Sequence, residues 1–182
     1  AKGLGLLDNS YINYSASGNF NEKEGTIEFW VKPEWDGNDG LQHYFVNSDP
    51  INADFLFYKA DNTQDNGIAV YLKNVGELII KYDASNWLAG DWHHLGVTWN
   101  NYTSKFTLHV DGMQVNNSGN PFEIPKPANI VIGGPSGSET GLYCNCTISE
   151  FRISRKALTA QEINHSFSKG RKFLENEIFL NS

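Results

Sequence analysis

The 182-residue chain is poor in cysteine, with only Cys144 and Cys146. Two cysteines cannot build a disulfide framework, so a hydrophobic core has to carry the stability. Residues i and i+2 of an extended strand face one side near the upper Cα limit for bridging. Reduced thiols in an apolar layer are therefore expected, with a bridge or a contact to another chain as the alternatives. Long apolar runs are missing too. None approaches the ~18 residues of a membrane helix, so no membrane insertion is expected. Positive charge is scarce, 14 Lys and Arg against 21 Asp and Glu, a net charge of −7. That balance argues against the clustered cationic surface of a nucleic-acid binder. It suits a neutral or cationic partner, or a bound divalent cation. The opening Ala1-Lys2-Gly3 has neither an initiator Met nor a signal-like stretch, so the chain is expected to be a domain of a longer protein.

What is present is alternation. From Asp91 to Val115, Leu95, Val97 and Trp99 share one parity, and Phe106, Leu108 and Val110 share another. This is the period-two pattern of strands buried on one face. The polar stretch Asn101 to Lys105 joins the two strands, and Asp111-Gly112 supplies a second hairpin turn. Leu4 to Asp8 and Tyr11 to Tyr14 read as an opening strand pair. Gly25 to Lys32 is a strand with Ile27, Phe29 and Val31 on one face and Trp30 on the more polar one, where a crossing loop should cover it. Short strands follow at His43 to Val46, Phe55 to Lys59, Ile68 to Leu72, Glu77 to Tyr82 and Asn129 to Ile132.

Near the C-terminus the parity breaks. Cys146 and Ile148 share one face while Phe151 and Ile153 take the other register, which calls for a bulge near Ser149 and Glu150. Thr159 and Glu162 have capping-box spacing, and Ile163 with Phe167 forms an i,i+4 apolar pair, so one helix is expected over 159–167. The remainder, 169–182, reads as a linker or as a tail docked on a domain of residues 1–168.

Four motifs in order resemble the laminin-G-like members of the concanavalin A-like jelly-roll superfamily. They are Leu7-Asp8-Asn9-Ser10-Tyr11-Ile12; Gly25 through Pro33; the W-H-H-h-x-V-T-W stretch from Trp92 with L-H-V-D-G after it; and Ile148 through Ile153 followed by Ala157 to Ile163. The resemblance implies an all-β sandwich of two antiparallel sheets with one short C-terminal helix. It also implies a structural calcium held by Asp8 and an acid before the last core strand. Ser149 stands where the family often has Asp, and Glu150 matches the acid after it. His94 is implied to be a structural polar residue on the sheet, and His109 on the same hairpin could face it.

The superfamily includes endoglucanases. Retaining glycosidases need two carboxylates ~5–5.5 Å apart, which this fold supplies from alternate positions of one strand. No strand here carries such a run, since Glu28 is followed by Trp30 and Glu150 by Arg152. The chain is therefore read as non-catalytic. The function implied by the resemblance is recognition of a glycan or glycoprotein by a secreted or cell-surface protein. The alternatives are a protein-binding adhesion module and a loop-assembled glycoside hydrolase or lyase. Sugar stacking needs aromatic faces beside amides and carboxylates in a largely preformed pocket. Trp87 with Asn86 is the first choice, and Trp35 with Asp36 and Asn38 the second, with Tyr143 also on a loop. For each tryptophan the competing reading is rim packing that closes the sandwich.

Overall fold

The computed structural model describes residues 3–6, 10–48, 55–72, 78–119, 124, 126–135 and 141–180. In chain order the strands are β1 (Leu4–Leu6), β2 (Ile12–Ser15), β3 (Glu24–Pro33), β4 (His43–Ser48), β5 (Phe55–Lys59), β6 (Gly67–Leu72), β7 (Leu78–Asp83), β8 (His93–Asn100), β9 (Lys105–Val110), β10 (Met113–Ser118), β11 (Asn129–Ile132) and β12 (Cys146–Ser154), followed by the helix α1 (Ala160–Leu180). They form two antiparallel six-stranded sheets. The front sheet runs β1-β12-β3-β8-β9-β10 and the back sheet β2-β11-β4-β5-β6-β7. The opening strands do not pair with each other: β1 joins the front sheet beside β12, and β2 joins the back sheet beside β11. Leu6 is buried while all of β2 is exposed, so the two strands answer to different sheet edges.

The alternation seen in the sequence fills the space between the sheets. Ile27, Phe29 and Val31 meet Leu95, Val97 and Trp99 from the same sheet and Phe45, Phe57 and Val70 from the other, all fully buried. Phe29 lies at the centre, with ring contacts to Phe45, Phe57 and Phe151 at 5.8, 5.5 and 5.8 Å. Burying such rings contributes on the order of 1.5–3 kcal/mol each, plus tenths to about 1 kcal/mol for ring geometry. Turn chemistry agrees with the hairpins. Asp111 and Gly112 both have positive φ, 48° and 77°, which a two-residue hairpin turn requires.

The bulge in β12 lies where the parity break places it. Register with β3 shifts between Ser149 and Arg152, and Glu150 adopts φ 51°. The extra residue turns Phe151 and Ile153 toward the core after Ile148 has already faced it. The capping box also forms. The Glu162 carboxylate accepts from the Thr159 amide at 2.7 Å, and the Thr159 hydroxyl accepts from the Glu162 amide at 3.2 Å.

The helix does not stop at Phe167. It continues through Leu180, and it, not a loop, covers the outer face of the front sheet. Phe167 stacks on Trp30 with ring centroids 5.4 Å apart, and a Cβ on Gly170 would come within 2.2 Å of the Trp30 indole nitrogen. No helix among the described residues is long and apolar enough to cross a membrane.

The fit at Gly25 is open to test. A Cβ there would lie 2.2 Å from Cζ2 of the fully buried Trp99, whose indole donates to the Asn21 carbonyl at 2.9 Å. Gly25→Ala should therefore cost about 1–3 kcal/mol in urea unfolding, the usual range for overpacking. A loss below about 0.5 kcal/mol would show that Trp99 is not held in place.

Candidate functional site

Three loops close one end of the sandwich. Strand β3 leads into 34–40, β7 into 84–92, and the approach to β12 supplies 141–145. The first two are tied by hydrogen bonds from the Gly37 amide to the Trp87 carbonyl, the Ala89 amide to the Asp36 carboxylate, and the Gly90 amide to the Pro33 carbonyl, at 2.9, 2.9 and 2.8 Å. Gly37 is required for this approach, since a Cβ would stand 1.7 Å from the Ala84 carbonyl oxygen. The two sugar-stacking candidates thus meet in space, but their indoles are not presented to solvent. Trp87 is 4% exposed and lies face to face with His93 at 3.7 Å. Trp35 is 6% exposed, lies over His43 at 4.4 Å, and donates to the Cys144 carbonyl at 2.8 Å. Both belong to the core cluster. This burial favours the competing reading of each tryptophan, rim packing that closes the sandwich. The loops press together, and their aromatic residues seal the core. Asp36, Asn38 and Asn86 remain exposed around them. Tyr143 is half-buried, and its carbonyl accepts from the His43 ring at 3.2 Å.

A buried charge anchors this end. Lys59, the last residue of β5, has a side chain with 0% exposure. Its ammonium is paired with Asp39, donates to the Leu41 carbonyl at 2.9 Å, and lies 5.6 Å over the Trp35 ring. The second Asp39 oxygen takes His43 Nε2 at 2.7 Å. Burial works to raise the Asp39 carboxyl, but hydrogen bonds from Lys59, His43 and the Leu41 amide outweigh it and hold the group below its ordinary value of 3.8. The sign follows from linkage. With the folded value depressed, the stabilisation is complete above about pH 3.8 and is lost as pH falls further.

Cys144 and Cys146 form a disulfide, in place of the reduced thiols expected. The physical reason is Asn145, whose φ of 44° folds the chain between them and brings the Cα atoms to 5.2 Å. That separation falls inside the bridging range, which a fully extended strand would leave.

An open cleft among the described residues lies elsewhere. It encloses about 290 Å³ and is lined by Tyr14, Asn19, Ile132, Phe151 and Ile153. Each residue arrives for a local reason. Tyr14 pairs with Ile130 on the edge strand β2 and remains 49% exposed. Phe151 and Ile153 are turned inward by the β12 bulge. Asn19 holds the turn after β2 by donating to the Ser15 and Ser17 carbonyls at 3.4 and 3.3 Å. The lining thus offers a tyrosine face, an amide and an apolar floor, with no carboxylate among the described residues. Sequence reasoning missed this site. The sequence places Tyr14 only in an opening strand pair, and the edge position of β2 is what leaves it open.

Asp8 lies outside the described residues. Ser149 is 6% exposed on the face shared with Trp30, and Glu150 is ion-paired with Arg152. Ser149 and Glu150 offer a hydroxyl and a carboxylate already paired with Arg152, two of the ~6–8 oxygens a hard cation normally takes. No cluster of three or more His, Cys, Asp or Glu side chains suited to a metal occurs among the described residues.

Two packed antiparallel sheets closed by loops, with a side cleft, define a lectin-like β-sandwich. The chain belongs to the Laminin_G_3 family of the concanavalin A-like lectin/glucanases superfamily, whose family model matches residues 7–164. Comparison with curated proteins by sequence found no match. Among solved structures it is similar to the botulinum neurotoxin serotype D ligand binding domain in complex with N-acetylneuraminic acid. There the TM-score is 0.71 at 18% identity, covering 91% of this chain and 41% of that one. It is also similar to the receptor binding domain of botulinum neurotoxin D, with TM-score 0.68 at 20% identity and 91% and 43% coverage. A third is botulinum neurotoxin type C, whose cell entry depends on interaction with two ganglioside molecules, with TM-score 0.65 at 17% identity and 87% and 39% coverage. The chain spans less than half the length of these structures, and the likeness is one of fold.

The buried lysine yields a paired test. Asp39→Ala strands the Lys59 charge in the core and should cost about 3 kcal/mol, the lower end for a broken buried pair because Asp39 is partly exposed. Lys59→Met removes the buried charge itself and should cost clearly less. Denaturation showing Lys59→Met to be the more damaging change would overturn this account of the network.

Proposed function

We propose that this chain is a non-catalytic recognition module of a secreted or cell-surface protein and that it binds a glycan in the cleft at Tyr14. One observation carries the reading. The cleft combines an exposed tyrosine ring, an amide and an apolar floor, the chemistry that holds a pyranose by stacking and by hydrogen bonds to its hydroxyls. Its volume stands at the small end of ligand pockets, ~300–1,000 Å³, which suits one or two sugar units of a longer chain. The superfamily and the sugar ligands of the similar toxin structures support the substrate class.

Recognition without bond cleavage is supported by the commitment of three of the described acids to other partners. Glu28 is covered by α1 and bonded to Ser166, Asp39 is held by Lys59 and His43, and Glu150 is paired with Arg152. A second reading draws on β2 itself. Ile12 and Tyr14 are exposed on this edge strand, with the exposed Tyr11 just before it, and an edge strand can receive a peptide as an added strand.

A glycan array should show binding that Tyr14→Ala reduces at least tenfold, a loss of about 1.4 kcal/mol. Trp87→Ala should instead lower the melting temperature. Silence across the array, joined by capture of a protein partner that Tyr14→Ala abolishes, would replace the first reading with the second. The array signal should be the same in EDTA, and its loss there would restore a calcium held through Asp8. Purified protein should release no reducing sugar from polysaccharide, and release would overturn the non-catalytic reading.

A further inference from the structure

The outer face of the front sheet carries a second cluster of titratable groups, which the cleft does not use. Glu28 on β3, Gly96 on β8 and His109 on β9 fall in one row across the strands. His94 stands one step along β8, its Nε2 3.5 Å from Glu28, a distance that makes an ion-pair contact but a poor hydrogen bond. These side chains are almost completely buried, Glu28 at 4%, His94 at 2% and His109 at 1% exposure. Helix α1 lies over them. Ile163 reaches into the notch left by Gly96, where an added Cβ would sit 3.7 Å from Ile163 Cδ1 and 3.6 Å from the His109 Cβ. Phe167 lies 6.1 Å from the His94 ring. The helix answers little of this polarity. Ser166 donates to Glu28 Oε1 at 3.2 Å, whereas both ring nitrogens of His109, Nδ1 of His94 and Oε2 of Glu28 have no hydrogen-bond partner.

We propose that α1 is an acid-released cover on the front sheet, set free when His109 takes up a proton. The buried ring resists that proton while the helix is docked. Burial, and then the neighbouring His94, push His109 down to about 4 from 6.5, and Glu28 opposes them only in part. Glu28 stays anionic more readily than usual. Its burial works to raise the carboxyl, but His94, Arg152 and Ser166 outweigh that. The sign is therefore fixed. Between pH 6.5 and about 4 the undocked state binds more protons than the docked one, so docking weakens as pH falls through that window.

The charged groups around the cluster do not relieve it. The sheet contributes Glu28, Arg152 with its partner Glu150, and Asp111, which accepts from the His94 amide and the His93 ring. The helix contributes Arg171, over the Phe167 ring at 6.0 Å, and Glu162, bound to Lys156 and Thr159, while His165 and Lys169 are exposed. No carboxylate among the described residues bonds to His109. The N-terminal end of the helix is tethered independently of the cluster. The Thr26 hydroxyl donates to the Lys156 carbonyl at 2.8 Å and accepts from the Leu158 amide at 2.9 Å. The helix can thus leave the sheet while 155–158 stays in place.

Amide hydrogen exchange from pH 7 to pH 4, corrected for the pH dependence of free amides, tests this on the full chain. The α1 amides should lose protection with a midpoint between pH 4 and 6.5 while those of β3 and β8 keep theirs. His109→Leu, or His109→Gln if the first does not fold, should move the midpoint down by at least one pH unit. Ile163→Ala, which loosens docking without titrating, should move it up. Simultaneous loss of protection in helix and sheet, or an unmoved midpoint in the His109 variant that folds, would overturn the proposal.

Discussion

The structure depends on a strand that has no wet side. β3 is hydrogen-bonded to β12 on one flank and β8 on the other. Of its ten residues only Glu24 and Lys32 are more than slightly accessible. Its inner face is answered by apolar rings from both sheets. The outer face carries Thr26, Glu28 and Trp30, groups that are costly to bury unless each is met by a partner. Thr26 is met by the Lys156 carbonyl and the Leu158 amide, Glu28 by Ser166 and Arg152, and Trp30 by Phe167. All of these partners come from the segment after the β12 bulge. The C-terminal part of the chain is thus drawn onto the sheet by the demands of one strand.

The same accounting explains the closed end. A loop rich in aromatics can present them to a ligand or give them to the core, and here the core receives them. Trp35 and Trp87 each cover a histidine face, and Lys59 beneath Trp35 is enclosed with its charge answered by Asp39. Once these rings are buried, the exposed Asp36, Asn38 and Asn86 no longer have an indole face of Trp35 or Trp87 beside them to work with. The cleft at Tyr14 has the opposite balance. It lies where β2 has a neighbour on one side only, so Tyr14 remains open to solvent. In an open sandwich, edge position is enough to make a strand residue a candidate binding residue. The fold alone does not specify the ligand, because the same architecture carries many functions.

Much of the architecture was legible in the residues themselves. Period-two alternation, the Asp111-Gly112 turn, the parity break at Ser149 and Glu150, and the Thr159–Glu162 cap are local signals, each set by backbone geometry over a few residues. They determined most of the strands, a hairpin, a bulge and the start of the helix, and with the four ordered motifs they pointed to the family. What only the tertiary structure decided is where each face ends up. That β1 and β2 part into different sheets, that Trp87 is sealed while Tyr14 is open, and that a helix covers Trp30 depend on contacts between segments far apart in sequence. So does the Cys144–Cys146 bridge, whose reach is set by the left-handed turn at Asn145. Alternation states that a side chain has two possible faces. Which of them meets water is settled by the element that packs against it, and that element is specified elsewhere in the chain.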